Sequence, residues 1–151
     1  MESQFRDGRA VEILLVEDNP GDVALTREAL EATGTAHRLH VVEDGADAVD
    51  FLFRRGKFSD AVLPDIVLLD LNLPNKDGRT VLSEIKADPN LAQIPIVVLT
   101  TSRADEDILH AYQLHANCCI TKPIDFHQFL RIVACIEEFW LGVVKLPRKT
   151  V

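Results

Sequence analysis

Three short apolar runs constrain the fold of this chain more than any other feature. They are VEILLV (11–16), DIVLLD (65–70) and IPIVVLT (94–100), and each has the length of a strand rather than of an ordinary helix. Their apolar character is nearly continuous, which is typical of strands that are covered on both faces. A parallel sheet with helices on both sides provides that environment, so the runs predict an α/β fold.

Segments with helical periodicity separate these runs. The predicted helices span residues 22–33, 46–56, 78–88, 105–116 and 124–140. The two remaining strands are predicted at 37–42 and 117–121. Strict alternation of strands and helices predicts a doubly wound, five-stranded parallel sheet of the flavodoxin-like (βα)5 type with strand order 2-1-3-4-5.

The length and composition fit one globular domain. With 151 residues, 47% of them hydrophobic and 26% charged, the chain can bury a core. We expect an N-terminal extension at 1–10, a domain with a long last helix at 11–144, and a tail at 145–151. The net charge of −8 argues against nucleic-acid binding. No apolar run suits a membrane span or a secretory signal, so a cytoplasmic location is expected.

Polar residues stand where the central strands are predicted to end. Glu17 and Asp18 follow the first strand, Asp70 ends the third, Thr100 ends the fourth, and Lys122 follows the fifth. The carboxyl ends of parallel strands meet at one edge of the sheet, where ligands bind in such folds. Three converging carboxylates would repel one another, and a divalent cation would offset that repulsion. Because the donors are hard oxygens, Mg²⁺ is favoured over zinc or copper.

Asp70 is the candidate nucleophile, because a carboxylate can accept a phosphoryl group as an acyl phosphate. Lys122 could then neutralise the phosphoryl charge, and the Thr100 hydroxyl could donate a hydrogen bond to it. A phosphatase or mutase with an aspartyl nucleophile normally has a second carboxylate two residues later, where this chain has Asn72. A flavodoxin-like nucleotide binder would need a glycine-rich loop after the first strand, where this chain has the acidic EDNPGD. These patterns favour a phosphoacceptor protein, with a protein-interaction scaffold that acts without phosphorylation as the alternative.

Four segments together resemble the receiver domain of two-component response regulators: LLVEDNPGD, DIVLLDLNLPNKDG, PIVVLTTS and CITKPID. The resemblance extends over residues 11–140. It implies that a sensor histidine kinase phosphorylates Asp70. It also implies that Mg²⁺ is bound by the side chains of Glu17, Asp18 and Asp70 and by the backbone carbonyl of Asn72.

The same resemblance implies roles for two further residues. Thr100 would be the switch hydroxyl, and Lys122 would contact the phosphate. Such a protein is not an enzyme acting on other substrates, since it catalyses only its own phosphorylation and dephosphorylation. Cys119 occupies a position where many receivers carry an aromatic residue coupled to the threonine. Switching is therefore expected to depend on Thr100 and the loop that follows it.

Two other segments, FLFRRGKFSDAVLP and IEEFWLGVVKLP, resemble the stand-alone response regulators that partner phytochrome-type light-sensing histidine kinases of bacteria. Few residues follow Lys122, so the output is expected to be a protein contact rather than DNA binding. Apolar residues on the predicted last helix exceed what one buried face needs. The surplus around Ile132, Cys135, Phe139 and Trp140 predicts a homodimer through this helix.

Overall fold

A computed structural model of the chain describes residues 10–32, 34, 36–73, 76–100 and 118–121, with residue 100 and residues 118–121 described by their backbone alone. The strands are β1 (Val11–Val16), β2 (His37–Val42), β3 (Ile66–Asp70), β4 (Ile96–Thr100) and β5 (Cys118–Thr121). The helices are α1 (Pro20–Ala32), α2 (Gly45–Phe53) and α3 (Gly78–Ala87), and a short 3-10 helix spans Gly56–Phe58.

The five strands form one parallel sheet in the order β2-β1-β3-β4-β5, which confirms the predicted topology. β1 lies between β2 and β3, and its last residue, Val16, is paired with Val42 of β2 and with Leu69 of β3. These three neighbouring strands therefore end close to one another at one edge of the sheet. The sequence predicts the candidate site at this edge, where the carboxyl ends of the strands lie.

The side chains of β1 and β3 are buried on both faces of the sheet, as their continuous apolar character predicts. On one face, alternate residues of the two strands pack against α2 and α3. The buried side chains of this core include Leu14, Val16, Phe51, Leu52, Val67, Leu69, Val81, Leu82 and Ile85. The strands that support the site are thus rigidly packed.

The first helix begins earlier than the sequence pattern predicted. α1 starts at Pro20, and the side chain of Asn19 accepts hydrogen bonds from the backbone N–H groups of Gly21 (2.8 Å) and Asp22 (3.1 Å). Proline is favoured at a first helical position because its missing N–H would have no partner there. The Asn-Pro pair is therefore a helix start signal that lies ahead of the predicted start at residue 22. Gly34, just after the predicted helix end at residue 33, has φ 75°, the left-handed conformation in which helices commonly stop.

The predicted end of the second helix, at Gly56, is wrong. α2 ends at Phe53, because Arg54 adopts the left-handed conformation with φ 55° and its N–H bonds back to the helix. The guanidinium of Arg55 then lies over the ring of Phe53, 4.6 Å from its centroid. A non-glycine residue is uncommon in this backbone region, which is why the composition pointed to the following glycine instead.

Several predicted features lie outside the described residues. They are the helices at 105–116 and 124–140, residues 1–9 of the N-terminal extension, the tail at 145–151, and the candidate dimer contacts Ile132, Cys135, Phe139 and Trp140. Of Cys119, only the backbone in β5 is described. Within the part of the chain that the structure describes, no helix has both the length and the apolar character to cross a membrane.

A buried carboxylate at the amino end of the sheet was missed by the sequence analysis. Glu12 lies within an otherwise apolar strand, and its side chain is 8% exposed. Its two oxygens contact Arg38 Nη1 at 3.0 Å and His40 Nε2 at 2.7 Å, both on the neighbouring β2. Its backbone N–H donates to the carboxylate of Asp65 at 2.8 Å. The pairing of β1 with β2 therefore includes a polar contact that only the strand register creates.

The Glu12→Gln substitution should lower the free energy of unfolding by about 1 kcal/mol, because it removes the negative charge of a buried carboxylate that pairs with the largely exposed Arg38. Urea denaturation would measure this change. The matched control is Glu84→Gln, which removes a more exposed carboxylate (38% against 8% for Glu12) from its pair with Lys76 (Nζ–Oε2 3.0 Å) and should cost at most about 0.5 kcal/mol. Equal losses in the two variants would contradict the assignment of Glu12 as the more important pair.

Lys86, near the end of α3, is hydrogen-bonded to the segment before β4. Its Nζ donates to the carbonyl oxygens of Ala92 (3.1 Å) and Ile94 (3.2 Å). Partial burial lowers the pKa of this lysine below its ordinary value. The folded state thus releases the Lys86 proton at a lower pH than the unfolded state does.

The folding stability of the Lys86→Met variant should depend on alkaline pH differently from that of the wild type. Between the lowered pKa and the ordinary lysine pKa, the unfolded wild type binds more protons at this position than the folded one, so folding stability rises with pH. The stability of the wild type relative to Lys86→Met should therefore increase as the pH rises through this window. Denaturation at a series of alkaline pH values measures it, and a difference that stays constant or shrinks would contradict the prediction.

Candidate functional site

Glu17 and Asp18 are the first two residues beyond β1. The N–H of Glu17 donates to the Val42 carbonyl at 3.0 Å, so the pairing with β2 extends one residue past the strand. The side chain of Glu17 is turned inward, leaving the residue 1% exposed, and one of its oxygens accepts a hydrogen bond from the N–H of Asn19 at 3.3 Å. Asp18 is exposed. The turn into α1 thus presents one buried and one accessible carboxylate.

Asp70 is the last residue of β3 and is 2% exposed. Its Oδ1 accepts a hydrogen bond from the N–H of Asn72 at 2.8 Å, which fixes the orientation of the carboxylate. The N–H of Leu71 donates to the Leu99 carbonyl at 2.8 Å, so the backbone is still held to β4 just beyond Asp70. The carboxylate therefore stands on a rigid strand end and is oriented by the first turn of the following loop.

The three carboxylates converge. Glu17, Asp18 and Asp70 each offer an oxygen, and these oxygens lie within 4.8 Å of one another. Within the described ranges, no other group of three His, Cys, Asp or Glu side chains comes together in this way. Adjacent parallel strands that end at the same edge produce this arrangement, as the sequence predicted.

The geometry fits a small divalent cation. Negative charges this close repel strongly where two of them are shielded from water, and a cation relieves that repulsion. All three donors are hard oxygens, the set that Mg²⁺ and Mn²⁺ prefer, and the exposure of Asp18 leaves the cluster open to solvent on one side. Asn72, whose carbonyl is the fourth predicted ligand, follows Asp70 by two residues and is exposed.

The other two predicted site residues are described less fully. The backbone of Thr100 ends β4, one residue beyond Leu99, which is the partner of Asp70 in the sheet. Thr100 is paired in turn with Thr121 of β5. Its side chain lies outside the described part of the structure, and so does the whole of Lys122, the residue after Thr121.

Gly78 is a contributor to the site that the sequence analysis treated only as the start of a helix. A Cβ on this residue would lie 2.5 Å from the Asp70 carbonyl oxygen and 2.6 Å from Leu71 Cα. The N–H of Gly78 also donates to the Leu71 carbonyl at 3.2 Å, and Asp77 caps α3 by accepting a hydrogen bond from the Arg79 N–H at 2.6 Å. The start of α3 is thereby held directly against the strand end that carries Asp70.

Comparison with known proteins agrees with this fold and site. Residues 13–134 match the response regulator receiver domain family. Response regulator Rcp1 of Synechocystis sp. is 46% identical over 135 residues, which are 89% of this chain and 92% of Rcp1. The predicted resemblance to receiver domains is confirmed.

Two crystal structures are similar over most of their length. The phosphorylated cyanobacterial phytochrome response regulator RcpA has a TM-score of 0.82 and 50% identity, with 92% of this chain and 99% of RcpA covered. The Mn²⁺-bound form of Rcp1 has a TM-score of 0.80 and 45% identity, with 91% of this chain and 99% of that chain covered. From its sheet order, its cluster of carboxylates and these matches, the chain belongs to the response regulator receiver domain family.

Proposed function

We propose that this response regulator accepts a phosphoryl group on Asp70 in a Mg²⁺-dependent reaction and passes the signal on by protein contact. The observation that carries the proposal is the buried Asp70 carboxylate, which ends a central strand within 4.8 Å of two other carboxylates. The similar protein RcpA has been crystallised in a phosphorylated form, and Rcp1 with Mn²⁺. Both facts support the same chemistry at this position.

The reaction requires little covalent participation from the protein beyond Asp70. An oxygen of its carboxylate attacks the phosphorus of the donor, and the bond from phosphorus to the leaving atom breaks with its electron pair going to that atom. The leaving atom is an imidazole nitrogen for a phosphohistidine donor and a carboxylate oxygen for acetyl phosphate. The hydrogen bond from the Asn72 N–H to Oδ1 holds the carboxylate in one orientation, which favours attack.

We assign the metal ligands to the side chains of Glu17, Asp18 and Asp70 and to the backbone carbonyl of Asn72. When bound, Mg²⁺ supplies positive charge next to the oxygens of the transferring group. The proposed contacts of Thr100 and Lys122 with the phosphoryl group are supported by backbone position, since Thr100 ends the strand next to Asp70 and Lys122 follows the next strand.

The proposed phosphodonor is a sensor histidine kinase of the phytochrome type, because the similar protein RcpA is a phytochrome response regulator. In this proposal the chain acts in the cytoplasm, binds no nucleic acid, and catalyses only its own phosphorylation and dephosphorylation. Dimerisation through Ile132, Cys135, Phe139 and Trp140 belongs to the same proposal and is supported by the sequence pattern alone.

Incubation with acetyl phosphate tests the reaction itself. Intact mass spectrometry should reveal a gain of one phosphoryl group that depends on Mg²⁺ and is absent in Asp70→Asn. A matched control is Asp60→Asn, an exposed aspartate in the loop between α2 and β3, which should gain the group as the wild type does. No gain in folded wild type would favour the alternative of a scaffold that acts without phosphorylation.

The electrostatics of the cluster predict a change in stability for the same variant. Without metal, Asp70→Asn should raise the free energy of unfolding by on the order of 1 kcal/mol, because it removes one of three mutually repelling charges. Addition of Mg²⁺ should stabilise the wild type and have much less effect on the variant. Denaturation in EDTA and in MgCl₂ measures both changes, with Asp60→Asn as the charge-matched control. A less stable Asp70→Asn protein in EDTA would contradict this account of the cluster.

A further inference from the structure

Gly45, the first residue of α2, approaches the loop between β3 and α3 more closely than a side chain would permit. A Cβ on Gly45 would lie 2.2 Å from the carbonyl oxygen of Lys76 and 2.7 Å from its Cβ, where real Cβ atoms essentially never come within 3.0 Å. The positive-φ glycines of the described chain are Gly34 and Gly56, so the requirement at Gly45 is for space rather than for an unusual backbone conformation.

α2 cannot easily move away from this contact. Asp44 caps the helix by accepting a hydrogen bond from the Asp47 N–H at 2.7 Å. Gly45 is itself buried, and Ala48, Val49 and Leu52 are buried behind it. Because packed interiors resist displacement, a larger residue at position 45 would move the loop rather than the helix.

The loop that would move carries part of the proposed metal site. It begins directly after Asp70, and its second residue, Asn72, is hydrogen-bonded to the Asp70 carboxylate. Its two ends are held together by the hydrogen bond from Gly78 to Leu71. Lys76 follows Asn72 by only four residues in this loop, so we expect a displacement of the Lys76 backbone to shift the Asn72 backbone as well.

We propose that Gly45 is a positioning residue for the phosphoacceptor site. The space left by its missing side chain receives the Lys76 carbonyl and so sets the position of the Asn72 backbone relative to Glu17, Asp18 and Asp70. This inference rests on the proposed function, since Mg²⁺ affinity is the property that Gly45 controls. A misplacement of about 1 Å can cost a reaction about a hundredfold in rate. For the displacement of one metal ligand we expect a smaller effect, a loss of about tenfold in Mg²⁺ affinity.

A substitution of the Lys76 side chain can distinguish the positioning role of Gly45 from a general stabilisation of the loop. Its Nζ contacts Glu84 of α3 at 3.0 Å, whereas Gly45 lies against its backbone carbonyl and Cβ. Lys76→Ala removes the ion pair and leaves the backbone contact in place. The two substitutions therefore disturb the same loop through different contacts.

Calorimetric titration of the full chain with MgCl₂ alone compares wild type, Gly45→Ala and Lys76→Ala. The expected result is a dissociation constant about tenfold higher in Gly45→Ala and within about twofold of wild type in Lys76→Ala. Labelling of Gly45→Ala by acetyl phosphate should approach the wild-type rate at saturating Mg²⁺. A lower melting temperature with unchanged Mg²⁺ affinity would overturn the proposal, because it would make Gly45 a purely structural residue.

A second pair of variants covers the case in which Gly45→Ala does not fold. Lys76→Gly removes the Cβ at 2.7 Å and loosens the backbone, so Gly45→Ala combined with Lys76→Gly should be accommodated more easily. The contact with the backbone carbonyl of residue 76, at 2.2 Å, remains in the double variant. The double variant should therefore bind Mg²⁺ more weakly than Lys76→Gly alone, and equal affinities would overturn the proposal. If wild type itself neither binds Mg²⁺ nor becomes phosphorylated, the proposed function fails instead, so the two failures are distinguishable.

Discussion

The parallel pairing of β1 with β3 is the interaction on which the rest of this structure depends. Val16 is paired with Leu69, so the residues that follow them, Glu17 and Asp70, emerge side by side at the same edge. Both strands are buried along their whole length, and the apolar contacts of their side chains offset the repulsion between the carboxylates at their ends. A less rigid sheet would let those charges separate, and the cluster would no longer present three oxygens to one cation.

Buried carboxylates lie at both ends of the sheet, but their surroundings differ. At the amino end, the carboxylate of Glu12 is matched by Arg38 and His40, and the arrangement contributes to pairing of β1 with β2. At the carboxyl end, three carboxylates converge, and a divalent cation would offset the repulsion between them. Such concentration of unfavourable charge at one edge, within an otherwise well-matched core, is characteristic of functional sites.

Two glycines let the first residues of α2 and α3 pack closely against the backbone near the site. Gly78 allows α3 to begin against the backbone of Asp70, and Gly45 allows α2 to begin against Lys76. The loop between β3 and α3 is therefore bounded by two packed helices, although it lies partly at the surface. The position of a functional site can thus be set by backbone contacts that involve no functional side chain.

The sequence by itself determined the strands, their order, and the polar residues at their ends, because each depends on local periodicity and on a topology with one favoured hand. The tertiary structure decided what depends on residues far apart in the chain. The burial of Glu12 requires the register of β2, and the role of Gly45 requires the position of Lys76. The end of α2 at Phe53 also escaped prediction, because a non-glycine residue such as Arg54 rarely adopts the left-handed conformation that ends the helix.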